Sequence, residues 1–191
     1  MMKHNILFLL IFVFSFQVSG QSLRKIVRDF DGDAKKDTVR IDSDSKSLIC
    51  RLSTQNYKLI QSGVIQRLNF GNTLVATKEG FEFWNDFDRS GFQCVFRFNQ
   101  KEKKFQLVKM RRIDDILSFD YGDEAKGKSS VNLVTNEYIG DFYQVYQGKL
   151  KKMPTIRAKM VFPATYLQTF NDIICFEYEK KCLTLYKTKQ L

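Results

Sequence analysis

Short stretches in which apolar and polar residues alternate run along most of the chain. DTVRID at 37–42 alternates Val39 and Ile41 with polar neighbours, and SLICRLS at 47–53 does the same with Leu48, Cys50 and Leu52. GFEFWN (80–85), QCVFRFNQ (93–100), KFQLVKM (104–110), SVNLVTN (130–136) and FYQVYQGKL (142–150) repeat the pattern, each bounded by Gly, Asn, Asp or Lys-rich turns. A period of two puts successive side chains on opposite faces, so each stretch predicts a half-buried strand. Strands spaced about ten residues apart predict an all-β domain, mainly antiparallel, built as a sandwich, a barrel or a propeller-like sheet, with at most one or two short helices.

The clearest hairpin is centred on residues 99–104. Phe96 and Phe98 alternate before the polar NQKEKK, and Phe105 and Leu107 alternate after it, so one face of the pair is expected in the core. Helical turns are expected at Ala164–Asn171, which follows Pro163, and near Ile113–Leu117. ICFEYE and CLTLYK near the C-terminus read as two strands of a last hairpin.

The first twenty residues stand apart. Lys3 and His4 precede an apolar run from Ile6 to Phe16, and Val18-Ser19-Gly20 supplies small residues for cleavage. This is the layout of a secretory signal peptide, and the run is shorter than the ~20 apolar residues that cross a bilayer. The expected organisation is a signal peptide at 1–20 and one domain at 21–191, secreted or periplasmic, with no transmembrane segment after cleavage.

Export changes the meaning of composition. The formal charge of +10 becomes +9 once Lys3 is removed. A positive balance suits nucleic acid, anionic envelope polymers or an acidic protein partner, and export disfavours the first. The only histidine is His4, so the expected mature chain has none. That excludes Ser-His-Asp and Cys-His catalysis and His-ligated zinc, and it points to a binding protein and away from an enzyme. Four cysteines remain, Cys50, Cys94, Cys175 and Cys182. In an oxidising compartment the hairpin reading pairs Cys175 with Cys182 and leaves Cys50 with Cys94, while buried free thiols are the alternative.

DFDGDAKKD at 29–37 concentrates aspartates in this basic chain. With Asp29 as position one, Asp31, Asp33 and Asp37 fall at positions three, five and nine, and Lys35 at seven offers its backbone carbonyl. A calcium ion takes six to eight oxygen ligands and needs carboxylates gathered on a tightly curled backbone at such spacing. Arg40 stands where an EF-hand carries its bidentate Glu, Ala34 where the sharp turn requires Gly, and Thr38–Ile41 read as a strand. The combination resembles the DxDGDxxxD calcium loops of FG-GAP and VCBS-type β-propeller repeats, which lead directly into a strand. That resemblance implies Asp29, Asp31, Asp33, the Lys35 carbonyl and Asp37 as ligands of a calcium ion with a structural role.

Other constellations point to partners. Asp86 and Asp88, or the acidic residues further on, offer carboxylates for glycoside hydrolysis. Trp84 with Phe81, Phe83 and Phe87 offers a sugar-stacking platform, with core packing as the alternative. The acidic loop holding Asp120, Tyr121, Asp123 and Glu124, and the aromatic group Tyr138, Phe142, Tyr143 and Tyr146, are candidate interfaces, Tyr143 and Tyr146 foremost.

Taken in order, the signal-like start with DFDGDAKKD, then FRFNQKEKKFQLVKMRR, then SSVNLVTNEYIG resemble small exported bacterial proteins with one aspartate loop, an aromatic hairpin and an S-x-N-x-x-T segment, here Ser130, Asn132 and Thr135. The resemblance implies a periplasmic, calcium-binding, β-propeller-like inhibitor or immunity-type binder of a lysozyme-like peptidoglycan hydrolase. A cell-envelope or carbohydrate-binding module is the alternative, and a carboxylate-based glycoside hydrolase the third reading.

Overall fold

The computed structural model describes residues 24–88, 90–115, 117–122 and 125–189. The expected signal peptide lies outside them. Among the described residues, thirteen strands form two antiparallel sheets and a hairpin. β1 (Lys25–Arg28), β2 (Asp37–Asp42), β3 (Ser47–Arg51) and β4 (Leu59–Gln61) make a four-stranded meander. β5 (Thr73–Thr77), β6 (Gly80–Phe87), β7 (Ser90–Asn99), β8 (Lys104–Asp114), β9 (Gly127–Asn132), β10 (Glu137–Asp141) and β13 (Ile156–Lys159) make a seven-stranded sheet in the order β13-β10-β9-β8-β7-β6-β5. β11 (Tyr143–Tyr146) and β12 (Lys149–Lys152) pair by themselves. Neither sheet closes into a barrel, and the all-β, antiparallel expectation holds.

Alternation decides which face of each sheet is buried. In β7 and β8 the register sets Phe98 opposite Phe105 and Phe96 opposite Leu107, and all four are buried, as the hairpin pattern predicts. Phe81, Phe83, Cys94 and Met110 continue that face. The four-stranded sheet adds Val39, Leu48, Cys50 and Leu52 to the same core, and Phe30 meets Phe81 and Phe105 edge-on at ring separations of 6.2 and 5.2 Å. Arg28 of β1 donates to the Thr77 carbonyl at 2.5 Å, joining the small sheet to β5.

The C-terminal segment corrects the sequence reading. It is not a hairpin but one helix, α2 (Ile173–Lys189). Its buried residues Ile174, Cys175, Tyr178, Cys182 and Tyr186 recur at three to four positions, the stripe of a helix. α2 crosses the inner face of the large sheet strand by strand. Cys175 meets Cys94 of β7, Glu179 meets Arg112 of β8, Tyr178 meets Ser129 of β9 and Tyr138 of β10, and the Tyr186 hydroxyl donates to the Tyr143 carbonyl of β11 at 2.9 Å. The 164–171 segment contributes a 3-10 turn at Leu167–Thr169, and β8 runs on through the turn expected near residue 113, with the short helix α1 (Ser118–Tyr121) following.

The anticipated Cys175–Cys182 and Cys50–Cys94 disulfides are absent. Cys175 and Cys182 sit seven residues apart on α2, a rise of about 10.5 Å, far beyond the reach of a disulfide. Cys50 faces the core of the small sheet, while Cys94 faces Cys175. All four thiols are free and buried.

Candidate metal centre

The aspartate loop fills the turn between β1 and β2, and β-pairing decides what surrounds it. β2 and β3 run antiparallel with Thr38 opposite Arg51, so the chain leaving β3 passes beside Asp37. There it forms a 3-10 turn, Ser53–Gln55, that closes over the loop. Asp37 is fully buried and structural in its contacts. One of its oxygens accepts from the Phe30 amide at 2.8 Å, the other from the Ser53 amide at 2.7 Å and the Ser53 hydroxyl at 3.0 Å. Asp29 curls the loop by accepting from the amides of Gly32 at 2.7 Å and Ala34 at 2.9 Å.

Two residues of the loop adopt the left-handed conformation, Gly32 at φ 86° and Ala34 at φ 64°. The curl that the sequence pattern requires at position 34 is therefore present, although an L-residue pays about 1–2 kcal/mol for it. Asp33 accepts from the Lys35 amide at 2.8 Å and from the Ser53 hydroxyl at 2.8 Å. The Lys35 amide, helped by Ser53 and working against partial desolvation, holds the Asp33 carboxyl below the ordinary aspartate range. The Lys35 side chain is exposed, its ammonium 4.0 Å from Asp33.

Asp31 carries the chemistry. It is 8% exposed; one oxygen accepts from the Thr54 hydroxyl at 2.5 Å, and the other, Oδ1, is buried with no hydrogen-bond partner. Its own carbonyl is held by the Gln100 side chain at 2.9 Å, a contact from the β7–β8 turn. Ligand oxygens of Asp29, Asp31 and Asp37 all lie within 4.8 Å of one another. Calcium–oxygen distances of 2.3–2.6 Å put opposite ligands about 4.6–5.2 Å apart, so the three oxygens fit one calcium coordination sphere. An orphaned carboxylate oxygen among other carboxylates is costly without a cation, and an all-oxygen donor set suits a hard one. The residues present fit the ion.

Of the aspartates singled out in the sequence, Asp29, Asp31 and Asp37 converge, while Asp33 lies beside them on the Lys35 amide and the Ser53 hydroxyl; the spacing gave no sign of Ser53, Thr54 or Gln100. Their contacts depend on strand register and on a turn about 70 residues away in sequence, so no local spacing encodes them.

The other candidates separate. Trp84 lies on the opposite face of β6 from Phe81 and Phe83, which are core, so the aromatic platform is not assembled. The indole donates to Glu82 at 2.7 Å, and Arg111 pairs with the same carboxylate at 3.0 Å. Asp86 is half-buried, which pushes its carboxyl up, while Asp88 sits exposed in the following turn. Asp120 and Tyr121 are exposed on α1; Asp123 and Glu124 lie outside the described residues. Tyr138 and Phe142 are core, Tyr143 is half-buried, and Tyr146 is exposed with the Lys151 ammonium 5.3 Å from its ring centre. Asn132 accepts from the Val134 and Thr135 amides and so shapes the β9–β10 turn.

No protein-family description, curated protein or solved structure matches this chain.

Proposed function

We propose that the protein is an exported, calcium-binding interaction protein whose ion fixes the β1–β2 loop against the rest of the fold. The observation that carries this reading is the buried, unpartnered Asp31 Oδ1, converging with Asp29 and Asp37. Asp29, Asp31, Asp33 and Asp37 with the Lys35 carbonyl would hold the ion. It supplies positive charge that neutralises the cluster. The protein groups do the positioning: Ser53 and Thr54 orient carboxylates of the loop, and Gln100 ties the loop to the β7–β8 turn.

The partner we propose is a lysozyme-like peptidoglycan hydrolase, from the ordered resemblance of the aspartate loop, the aromatic hairpin and the Ser130-Asn132-Thr135 segment. The exposed helix α1 bearing Asp120 and Tyr121 and the hairpin bearing Tyr143 and Tyr146 are the proposed contact surfaces, the Asp120 carboxylate suiting a basic enzyme. The test is peptidoglycan lysis by a panel of such enzymes with residues 21–191 added, in calcium and in chelator. Stoichiometric inhibition that weakens in chelator supports the reading; folded protein with no effect on any enzyme refutes the inhibitor role.

A second reading rests on a separate observation. The outer face of the large sheet presents Trp84, Gln93, Arg111, Ser130, Ile139 and Arg157 in one register-aligned row, each partly or fully exposed. The Trp84 ring and the Arg111 guanidinium, both held by Glu82, with Arg157 at the far edge of the same face, suit an anionic envelope glycan. Retention on insoluble peptidoglycan that is lost in Trp84→Ala, without inhibition of lysis, selects it.

A further inference from the structure

Cys94 and Cys175 place their sulfurs 3.5 Å apart, and both are buried. They come from elements far apart in sequence: Cys94 from the middle of β7, Cys175 from the first turn of α2. The other two thiols are differently placed. Cys182 packs 3.6 Å from the Ser129 hydroxyl, and Cys50 lies in the small sheet, where burial and the nearby Asp37 and Asp31 push its thiol up.

We propose that Cys94 and Cys175 form a disulfide that staples α2 across the inner face of the large sheet. The oxidising setting rests on the export reading; the pairing itself rests on the geometry. Closing the sulfurs from 3.5 Å to the ~2.05 Å of a disulfide takes about 1.5 Å, which two side-chain rotations can share. The step is thiol–disulfide exchange with an external disulfide, such as oxidised glutathione or an oxidised dithiol protein. One protein thiolate attacks a sulfur of that disulfide, giving a mixed disulfide and releasing a thiol. The second protein thiolate then attacks the protein-bound sulfur, forming the Cys94–Cys175 bond and releasing the second thiol. Two protein thiols are oxidised, one external disulfide is reduced to two thiols, and the two protons leave on those products.

Timing follows from burial. The contact with Cys94 together with desolvation holds the Cys175 thiol protonated well above the ordinary range, so the folded chain exchanges slowly. The bond is made while α2 is docking. Because it closes a loop of about 80 residues, it removes much unfolded-state freedom.

The test is to refold the chain from Gln21 onward in a glutathione redox buffer, denature it, alkylate free thiols and map peptides by mass spectrometry. The expected result is alkylation at Cys50 and Cys182 only, with one linked peptide pair containing Cys94 and Cys175. Reductant should then lower the Tm by on the order of 10 °C. Cys50→Ala/Cys182→Ala should keep both the link and the reductant-sensitive Tm. Four alkylated thiols after oxidative refolding, or a link between any other two cysteines, overturns the pairing. A link formed in the glutathione buffer but missing from protein taken from its host leaves the pairing standing and overturns the export reading.

Discussion

Replacing Asp31 by asparagine separates two effects that its carboxylate combines. Without a cation, Asp31 Oδ1 is buried beside two other carboxylates and accepts no hydrogen bond, a situation that costs about 1–3 kcal/mol for a polar group and more for a charged one. Asparagine removes the charge, keeps an oxygen for the Thr54 hydroxyl and turns an amide donor toward the Asp29 and Asp37 oxygens. In chelator, Asp31→Asn should therefore be at least as stable as the parent. Calcium reverses the order. At a hundred times its dissociation constant the ion adds about 2.7 kcal/mol to the parent. A variant whose affinity has dropped a hundredfold gains only about 0.4 kcal/mol under the same conditions. For a domain of this size 1 kcal/mol moves Tm by about 2–4 °C, so the parent should rise by roughly 5–11 °C and the variant by 2 °C or less. Thermal unfolding of both proteins in calcium and in chelator reads this directly. Equal shifts in the two proteins, or a variant that is much less stable in chelator, would refute the assignment of Asp31 as a ligand.

Three further outcomes follow from the same structure. Arg112 is buried between Asp114 and Glu179, and although burial opposes its charge, those carboxylates outweigh it and keep it firmly protonated. Arg112→Met should cost about 3–5 kcal/mol in urea unfolding; a loss under about 1 kcal/mol would class the triad with exposed ion pairs. Ala34→Gly relieves about 1–2 kcal/mol of left-handed strain against an unfolded-state entropy cost of about 0.4–1 kcal/mol. The strain term is larger, so the variant should be more stable by about 0.5–1 kcal/mol and bind calcium more tightly, and a lower Tm would contradict it. Because the folded Asp33 carboxyl is held low, its stabilisation is complete above the ordinary aspartate range and is lost as pH falls through the folded value. Ser53→Ala removes one cause of that depression, so acid unfolding followed by circular dichroism in chelator should begin at higher pH than in the parent.

Sequence legibility tracks how local the determining physics is. β2 occupies Asp37–Asp42, the bounds its alternation predicts, because a two-residue period with a polar partner at every step has one low-energy reading. The β7–β8 hairpin was equally legible: its four aromatic and aliphatic positions share a face in only one register. α2 was misread because ICFEYE and CLTLYK each mimic alternation over six residues, and the helical stripe from Ile174 to Tyr186 emerges only over a longer window. That error carried the cysteine pairing with it, since the hairpin would have brought Cys175 to Cys182. In the candidate centre the aspartate spacing was visible, but its closure by Ser53, Thr54 and Gln100 depends on tertiary pairing. Trp84 and the phenylalanines beside it show the converse. Neighbours in sequence on a strand point to opposite faces, so a cluster in the letters was divided in space.

The most direct test of a calcium-held loop is a calorimetric titration of calcium into the chain from Gln21 onward, beside the Asp37→Ala variant and a magnesium titration. The account predicts one ion per chain, a dissociation constant within the range of about 10⁻⁴–10⁻³ M of extracellular sites or tighter, weaker binding of magnesium, and no binding in the variant. A folded parent protein that takes up no calcium at millimolar concentration would contradict it.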